Sequence, residues 1–390
     1  MKMSGIVLSA SVRQNLLSLQ STADLLATTQ NRLATGNKVN SALDNPTNFF
    51  TAQGLNNRAS DINNLLDSIG NGVQVLQAAN TGITSLQKLV DTAKSLANQV
   101  LQAPAGYSTK STVTSAVALT GNAANLVDGT IIKSGDVLTI ASTGGGVATN
   151  ITFGASESLA QLNTALAANN LTASLDSANK LVITTTNDAA SSTIGAVGYP
   201  GAGTGTLTFG AVAAPVADAA SQTIRANLVA QDNNVITQIT TTAQDSSFNG
   251  INLLNGDDLK LTFNETGKST LTVKGVTFNA AGLGLASLVS GTDFLDNASA
   301  NKALTLLGAA STTLRTEASA LGSNLSIVQI RQDFSKNLIN VLQTGSSNLT
   351  LADTNEEAAN SQALSTRQSI AVSALALANQ SQQSVLQLLR

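Results

Sequence analysis

Stepping alternately by three and four residues from Leu304 lands on Leu307, Ser311, Leu314, Ala318, Leu321, Leu325, Val328, Gln332, Ser335, Ile339 and Leu342. Nine of these twelve positions are apolar and none is Gly or Pro. The spacing predicts a coiled-coil-like helix about 58 Å long at 1.5 Å per residue. Off the stripe the residues are mostly Ser, Thr, Asn, Gln and charged, so the helix needs a partner to cover its apolar edge. A matching stripe lies far upstream: Leu55, Arg58, Ile62, Leu65, Ile69, Gly72, Leu76, Ala79, Ile83, Leu86, Val90, Ala93, Ala97 and Val100, with only Arg58 and Gly72 off pattern. Two seams this long in opposite halves of the chain predict that the ends come together and that the intervening sequence loops out.

The prolines and glycines mark the joints. Before Pro46, a first helix over 4–35 carries Val12, Leu16, Leu19, Ala23, Leu26, Gln30 and Leu33 on one stripe and ends at Gly36; a second runs from about Asn48 to Gln102. Between Pro104 and Pro215 the period changes. Strands at 137–140 and 150–153, a short helix at 157–168, and strands at 171–175 and 180–184 give a β-β-α-β-β unit, followed by a Gly-rich loop and a strand at 206–209. Helix resumes at about Ser221, with Ile224, Leu228, Val235 and Ile239 on one face. A hairpin pattern follows at 258–264 and 269–274. A break is expected at Gly345. The last helix, about 355–390, places Leu364, Gln368, Ala371, Leu375, Ala378, Gln382, Val385 and Leu389 on a seam matching that of the first.

Composition narrows the chemistry. There is no Cys and no His, which removes thiolate nucleophiles, disulfides, the commonest general base and the commonest transition-metal ligand. With 11% charged and 3% aromatic residues and a net charge of −3, the chain has neither the basic footprint nor the stacking platforms of a nucleic-acid binder. Residues 104–220 hold three basic and six acidic side chains, the whole of that net charge, as suits a solvent-facing insertion. No apolar run approaches a membrane span, and the first residues lack a signal-peptide core. The sequence thus predicts no catalysis, no metal, no cofactor, no membrane and no nucleic-acid partner. It also predicts either a cytosolic protein or export by a route that reads no cleaved signal.

Three features invite a site and are better read otherwise. Gly144-Gly145-Gly146 lacks the Gly-Lys-Ser/Thr of a phosphate loop and reads as a turn. Asp257-Asp258 with Glu265 lacks EF-hand spacing and reads as a charged hairpin end. Glu356-Glu357 sits in a first helical turn, where it favours the helix dipole.

Several strings carry a resemblance. Asn15-Leu-Leu-Ser-Leu-Gln20, Asn31-Arg-Leu-Ala-Thr-Gly36, Asp44-Asn-Pro46, Phe248-Asn-Gly-Ile-Asn-Leu-Leu-Asn-Gly256, Ala376-Leu-Ala-Asn-Gln380 and Val385-Leu-Gln-Leu-Leu-Arg390 resemble bacterial flagellin over about 1–103 and 221–390. The resemblance implies a mainly α fold. Long antiparallel helices would come from both ends, with 1–45 and 346–390 as a terminal inner core and 46–103 and 221–345 as an outer core carrying the hairpin 258–274. Residues 104–220 would form a surface-exposed α+β insertion. It implies a structural subunit secreted by type III export that polymerises with itself into the extracellular flagellar filament. Its further implied partners are an export chaperone on the C-terminal helix, the filament cap and hook-associated junction proteins. A flagellin-like surface binding protein and a hook–filament junction protein are the alternatives. Subunit contacts are expected from Val12, Leu16, Leu19, Leu26, Leu33, Leu364, Leu375, Val385 and Leu389, with the end helices underburied until copies stack.

In flagellins sensed by the animal innate receptor, the recognition segment aligns with Leu86, Gln87, Lys88, Leu89, Val90, Asp91, Thr92 and Ala93. Here Lys88 stands for the family's Arg, Val90 for a second Arg and Thr92 for a Leu. Loss of Arg anchors implies weak activation.

Overall fold

The computed structural model describes residues 10–200 and 206–388. Six helices and ten short strands follow in order: α1 Ala10–Thr35, α2 Pro46–Gln102, β1 Tyr107–Thr109, β2 Thr112–Thr114, β3 Val137–Ile140, β4 Thr149–Thr152, α3 Leu159–Ala167, β5 Leu171–Leu175, β6 Leu181–Thr185, β7 Val197–Gly198, β8 Val216–Ala217, α4 Ala219–Asp245, β9 Leu259–Thr262, β10 Thr270–Val273, α5 Asn297–Thr350 and α6 Thr354–Leu388. The chain separates into two compact units. One comprises residues 1–71, 261–271 and 328–390, the other 72–260 and 272–327. The borders of these units lie within α2 and α5.

In the first unit, α1 packs against α6, and the early part of α2 packs against the late part of α5 through Leu55, Ala59, Ile62, Leu338, Ile339 and Leu342. Pro46 is the first residue of α2 rather than a break before it: its missing N–H would be unpaired there anyway, and Asn45 accepts from the N–H of Asn48 at 3.0 Å. Gly345 does not end α5, which continues to Thr350. A Cβ there would lie 3.5 Å from Leu55 Cδ1, an ordinary contact distance, so the glycine carries a helix-propensity cost of about 1 kcal/mol without a steric need for it. Of the predicted long seams, every α5 position is buried or half-buried, and on α2 only Arg58 is exposed, where it pairs with Glu265 at 2.8 Å.

In the second unit the insertion has the predicted β-β-α-β-β order, arranged as two antiparallel sheets, β2-β6-β5 and β4-β3-β7. Leu138, Ile140, Phe153, Leu162, Leu166, Leu181 and Ile183 lead its buried core. β1 and β8 tie the two ends of the insertion together, Tyr107 opposite Ala217. Residues 206–209 do not form the expected strand. They make an isolated bridge, Ser115 to Phe209, and the following Gly210 and Ala-rich run are poor ladder formers. Gly144 and Gly145 sit in a turn with positive φ, as expected. The Phe248–Gly256 string shapes the end of α4. Asn249 and Gly250 turn the chain with positive φ, and the Asn252 side chain donates to the carbonyls of Ala243 and Gln244 at 2.8 Å each, satisfying the last turn of the helix.

The buried face of α4 differs from the sequence reading. It comprises Ser221, Arg225, Leu228, Val229, Asp232, Ile236, Ile239 and Ala243, while Ile224 is exposed and Val235 only half-buried. Two charged residues thus lie inward, where periodicity alone assigns them to solvent. Asp232 is 4% exposed and its Oδ1 accepts no hydrogen bond. Burial pushes its carboxyl up to about 6. The ionised form is therefore the costly one in the fold, and stability falls as pH rises from the unfolded value near 4 through about 6. Asp232→Asn is expected to stabilise the protein by about 2 kcal/mol at pH 8 and by almost nothing at pH 4. Thermal melts of both proteins at the two pH values check this, and equal shifts at both would contradict it.

Candidate assembly surfaces

The terminal helices meet through a 3–4 stripe on each. On α1, Val12, Thr22 and Thr29 are buried and Asn15, Leu19, Leu26 and Leu33 half-buried. On α6, Glu357 is buried and Ser361, Leu364, Gln368, Ala371, Leu375 and Ala378 are half-buried. Arg32 Nη1 lies 3.1 Å from Glu357 Oε1, fixing the antiparallel register at one end, so Glu357 is an ion-pair partner beyond its place in a first turn. The first turn of α6 is capped by Asp353, whose Oδ1 accepts from the N–H groups of Asn355 and Glu356.

Both helices turn at one shared joint. Gly36 ends α1 with φ +70°, where an L side chain would be strained. The Lys38 N–H donates to Thr350 O at 2.7 Å and the Ala352 N–H to Gly36 O at 3.0 Å. Asp44 Oδ2 accepts from the N–H groups of Ser41 and Asn40, and those two bonds hold its carboxyl below the ordinary range. The Asp44-Asn-Pro46 string therefore closes the loop with Asp44, caps with Asn45 and starts α2 with Pro46.

Several residues expected at subunit contacts lie where α1 and α6 meet within one chain. Val12, Leu19, Leu26, Leu33, Leu364 and Leu375 lie on the stripes along which α1 and α6 pair within one chain, so their first partner is intramolecular. Leu16 is 45% exposed and off that seam, because Thr22 takes a buried place by donating its hydroxyl to Ser18 O at 2.8 Å. Leu389 and the side chain of Val385 lie outside the described residues, as do residues 4–9 of the predicted first helix. What stays open is a second stripe. On α6 it runs Ala363, Arg367, Ile370, Ala374 and Leu377, all exposed, with Ile370 at 65% and Leu377 at 72%; α1 exposes Leu17 and Leu25. The sequence contained this stripe, but two overlapping 3–4 patterns on one helix cannot be ranked without knowing which one the partner covers.

In the receptor-aligned segment of α2, Leu86 and Val90 are fully buried and Gln87 half-buried, leaving Lys88, Asp91 and Thr92 exposed. Asp258 pairs with Lys274 at 2.5 Å, Asp257 accepts from the Asn252 N–H, and Glu265 pairs with Arg58, so these acids serve separate partners. Among the described residues no helix is long and apolar enough to cross a membrane.

The two end helices are thus paired on one stripe and exposed on another. Residues 8–131 match the bacterial flagellin N-terminal helical region and residues 304–389 the bacterial flagellin C-terminal helical region, together more than half of the 390 residues. The chain is 36% identical over 158 residues to flagellin FljM and, equally, to flagellin FljK of Caulobacter vibrioides, covering 39% of this chain and 55% of each relative. Flagellin A of Rhizobium meliloti is 34% identical over 115 residues, 29% of this chain and 25% of that protein. The chain spans about half the length of the Caulobacter relatives it matches. It belongs to the bacterial flagellin family.

Proposed function

We propose that the chain is a structural subunit that polymerises head-to-tail into the extracellular flagellar filament and carries out no catalysis. The observation that carries this reading is the exposed second stripe of α6, Ile370 and Leu377 with Ala363 and Ala374 between turns, on a helix whose other stripe already packs on α1. Apolar ridges lined by small residues let helices of neighbouring copies approach closely, and a head-to-tail contact that does not close grows a filament. In this reading 1–45 and 346–390 form the inner layer, 46–103 and 221–345 the outer layer, and 104–220 projects to solvent. The chain leaves the cell by type III export. The exposed α6 stripe is then the surface that an export chaperone covers before assembly, and cap and junction proteins meet the two filament ends. The test is seeded growth of the purified chain followed by light scattering. Elongation above a critical concentration is expected; scattering that stays flat at any concentration would reject the proposal.

The receptor-aligned face carries one cation, Lys88, beside Asp91 and Thr92, with Val90 turned inward. Arg anchors at such contacts are worth more than about 1 kcal/mol each. A reporter-cell assay is therefore expected to show weak activation, and potency equal to that of a strongly sensed flagellin would refute this.

A further inference from the structure

We propose that Asn249 is a site of self-modification, at which the chain exchanges a side-chain amide for a carboxylate with water as the only co-reactant. Three Asn-Gly pairs occur in the sequence, Asn71-Gly72, Asn249-Gly250 and Asn255-Gly256, and a glycine after asparagine leaves its backbone nitrogen open to approach from the preceding side chain. The reaction joins that nitrogen to the asparagine Cγ. Its N–H proton passes to the departing amide, the Cγ–Nδ2 bond breaks, and ammonia leaves behind a cyclic imide. Water then adds at either ring carbonyl. Opening at Cγ gives Asp, and opening at the main-chain carbonyl gives an isoaspartyl link whose backbone runs through Cβ and Cγ. Nothing is oxidised or reduced, and the step stands apart from filament formation.

The fold withholds this chemistry from two of the pairs. Gly72 is buried inside α2, where its N–H belongs to the helix ladder and is held away from the Asn71 side chain. Around Asn255 the chain is pinned from both sides. The N–H groups of Asn255 and Asp257 donate to Asn252 O at 3.1 Å each, and those of Val276 and Phe278 donate to Leu253 O and Leu254 O. Gly275 lies so close that a Cβ on it would stand 2.7 Å from Gly256 C. Asn249 and Gly250 differ. Both are exposed, with φ +51° and +80°, the central pair of a tight turn closed by the exchange between Phe248 and Ile251 at 3.0 and 3.1 Å. A Cβ on Gly250 would meet nothing within 4 Å, and among the described residues neither the Gly250 N–H nor the Asn249 side-chain amide has a hydrogen-bond partner. Opening that exchange frees the turn to reach the ring geometry, a local event that leaves the Asn252 cap on α4 in place. The new carboxylate then stands just past Asp245, the last residue of α4, where the helix end already carries negative charge.

The test ages the full chain in mildly alkaline buffer and follows each Asn-Gly pair by peptide mapping with tandem mass spectrometry, alongside the same chain in urea. In urea all three pairs should convert at similar rates. In the folded chain Asn249 should convert about tenfold or more faster than Asn71 and Asn255. An isoaspartyl-specific methyltransferase should label the peptide that holds it. Asn249→Gln, at an exposed side chain without a bond to lose, should remove both that label and the acidic species seen on ion exchange, because the longer side chain closes its ring far more slowly. Equal rates at the three pairs of the folded chain, or an Asn249 that stays intact there while converting in urea, would overturn the proposal. So would a label that survives in the Gln variant.

Discussion

Removal of residues 361–390 is expected to abolish polymerisation and to unwind α1 along with α6. The deletion takes away the exposed stripe at Arg367, Ile370 and Leu377 and also the cover over Leu19 and Val12. An isolated helix the length of α1 is marginal in water, and its sequence offers little to stabilise it: no acidic residue in its first turn and Arg32 as its one basic residue in the last, with Glu357 left on a short stub of α6. Circular dichroism should therefore lose more helix than the deleted residues held. The α2–α5 seam keeps its own buried rows, so the remainder should still melt cooperatively. Normal filaments from the truncated chain, or an α1 that stays protected from hydrogen exchange, would contradict the account.

The second large effect is expected at Arg225. This guanidinium is 2% exposed, and it donates through Nε to Pro104 O at 2.9 Å and through Nη1 to Phe294 O at 2.8 Å, with a longer contact from Nη2 to Ala103 O. It thereby joins the end of α2, the start of α4 and the segment leading into α5. Phe294 is itself fully buried with φ +61°, a conformation costing about 1–3 kcal/mol, which the surrounding contacts must hold in place. Arg225→Met keeps much of the volume but leaves three carbonyls without their donor. At about 1–3 kcal/mol for each buried unsatisfied group, a loss of about 3–5 kcal/mol is expected. Urea titration followed by circular dichroism measures it. A loss below about 1 kcal/mol would show that water or backbone adjustment supplies the missing donors. Arg225→Lys should recover only part, because one ammonium cannot match the planar fork.

Much of the fold was legible because the long seams obey a strict 3–4 alternation with Leu, Ile, Val and Ala. A seam of that kind on α2 and α5 has no other stable reading, and the strands of the insertion alternate with period two. Three features were hidden for physical reasons. Arg225 and Asp232 are buried against type: periodicity assigns charge to solvent, and only the cluster of carbonyls around Arg225 makes its burial favourable. On α1 the adjacent Leu16 and Leu17 give two candidate rows, and the buried places go to Thr22, whose hydroxyl donates to Ser18 O, and to Thr29. Gly345 looks like a helix end in isolation, yet α5 runs on through it to Thr350. The assembly surfaces were the least legible part. A helix with two apolar rows announces two partners, but nothing in its own sequence says which row closes first.

The most direct test is electron microscopy of the purified full-length chain after seeding. Long filaments of uniform diameter that repeat one subunit head-to-tail are predicted. A field of discrete single particles at every concentration tried, with both terminal helices fully protected from exchange, would contradict the claim that these helices complete their packing only against other copies.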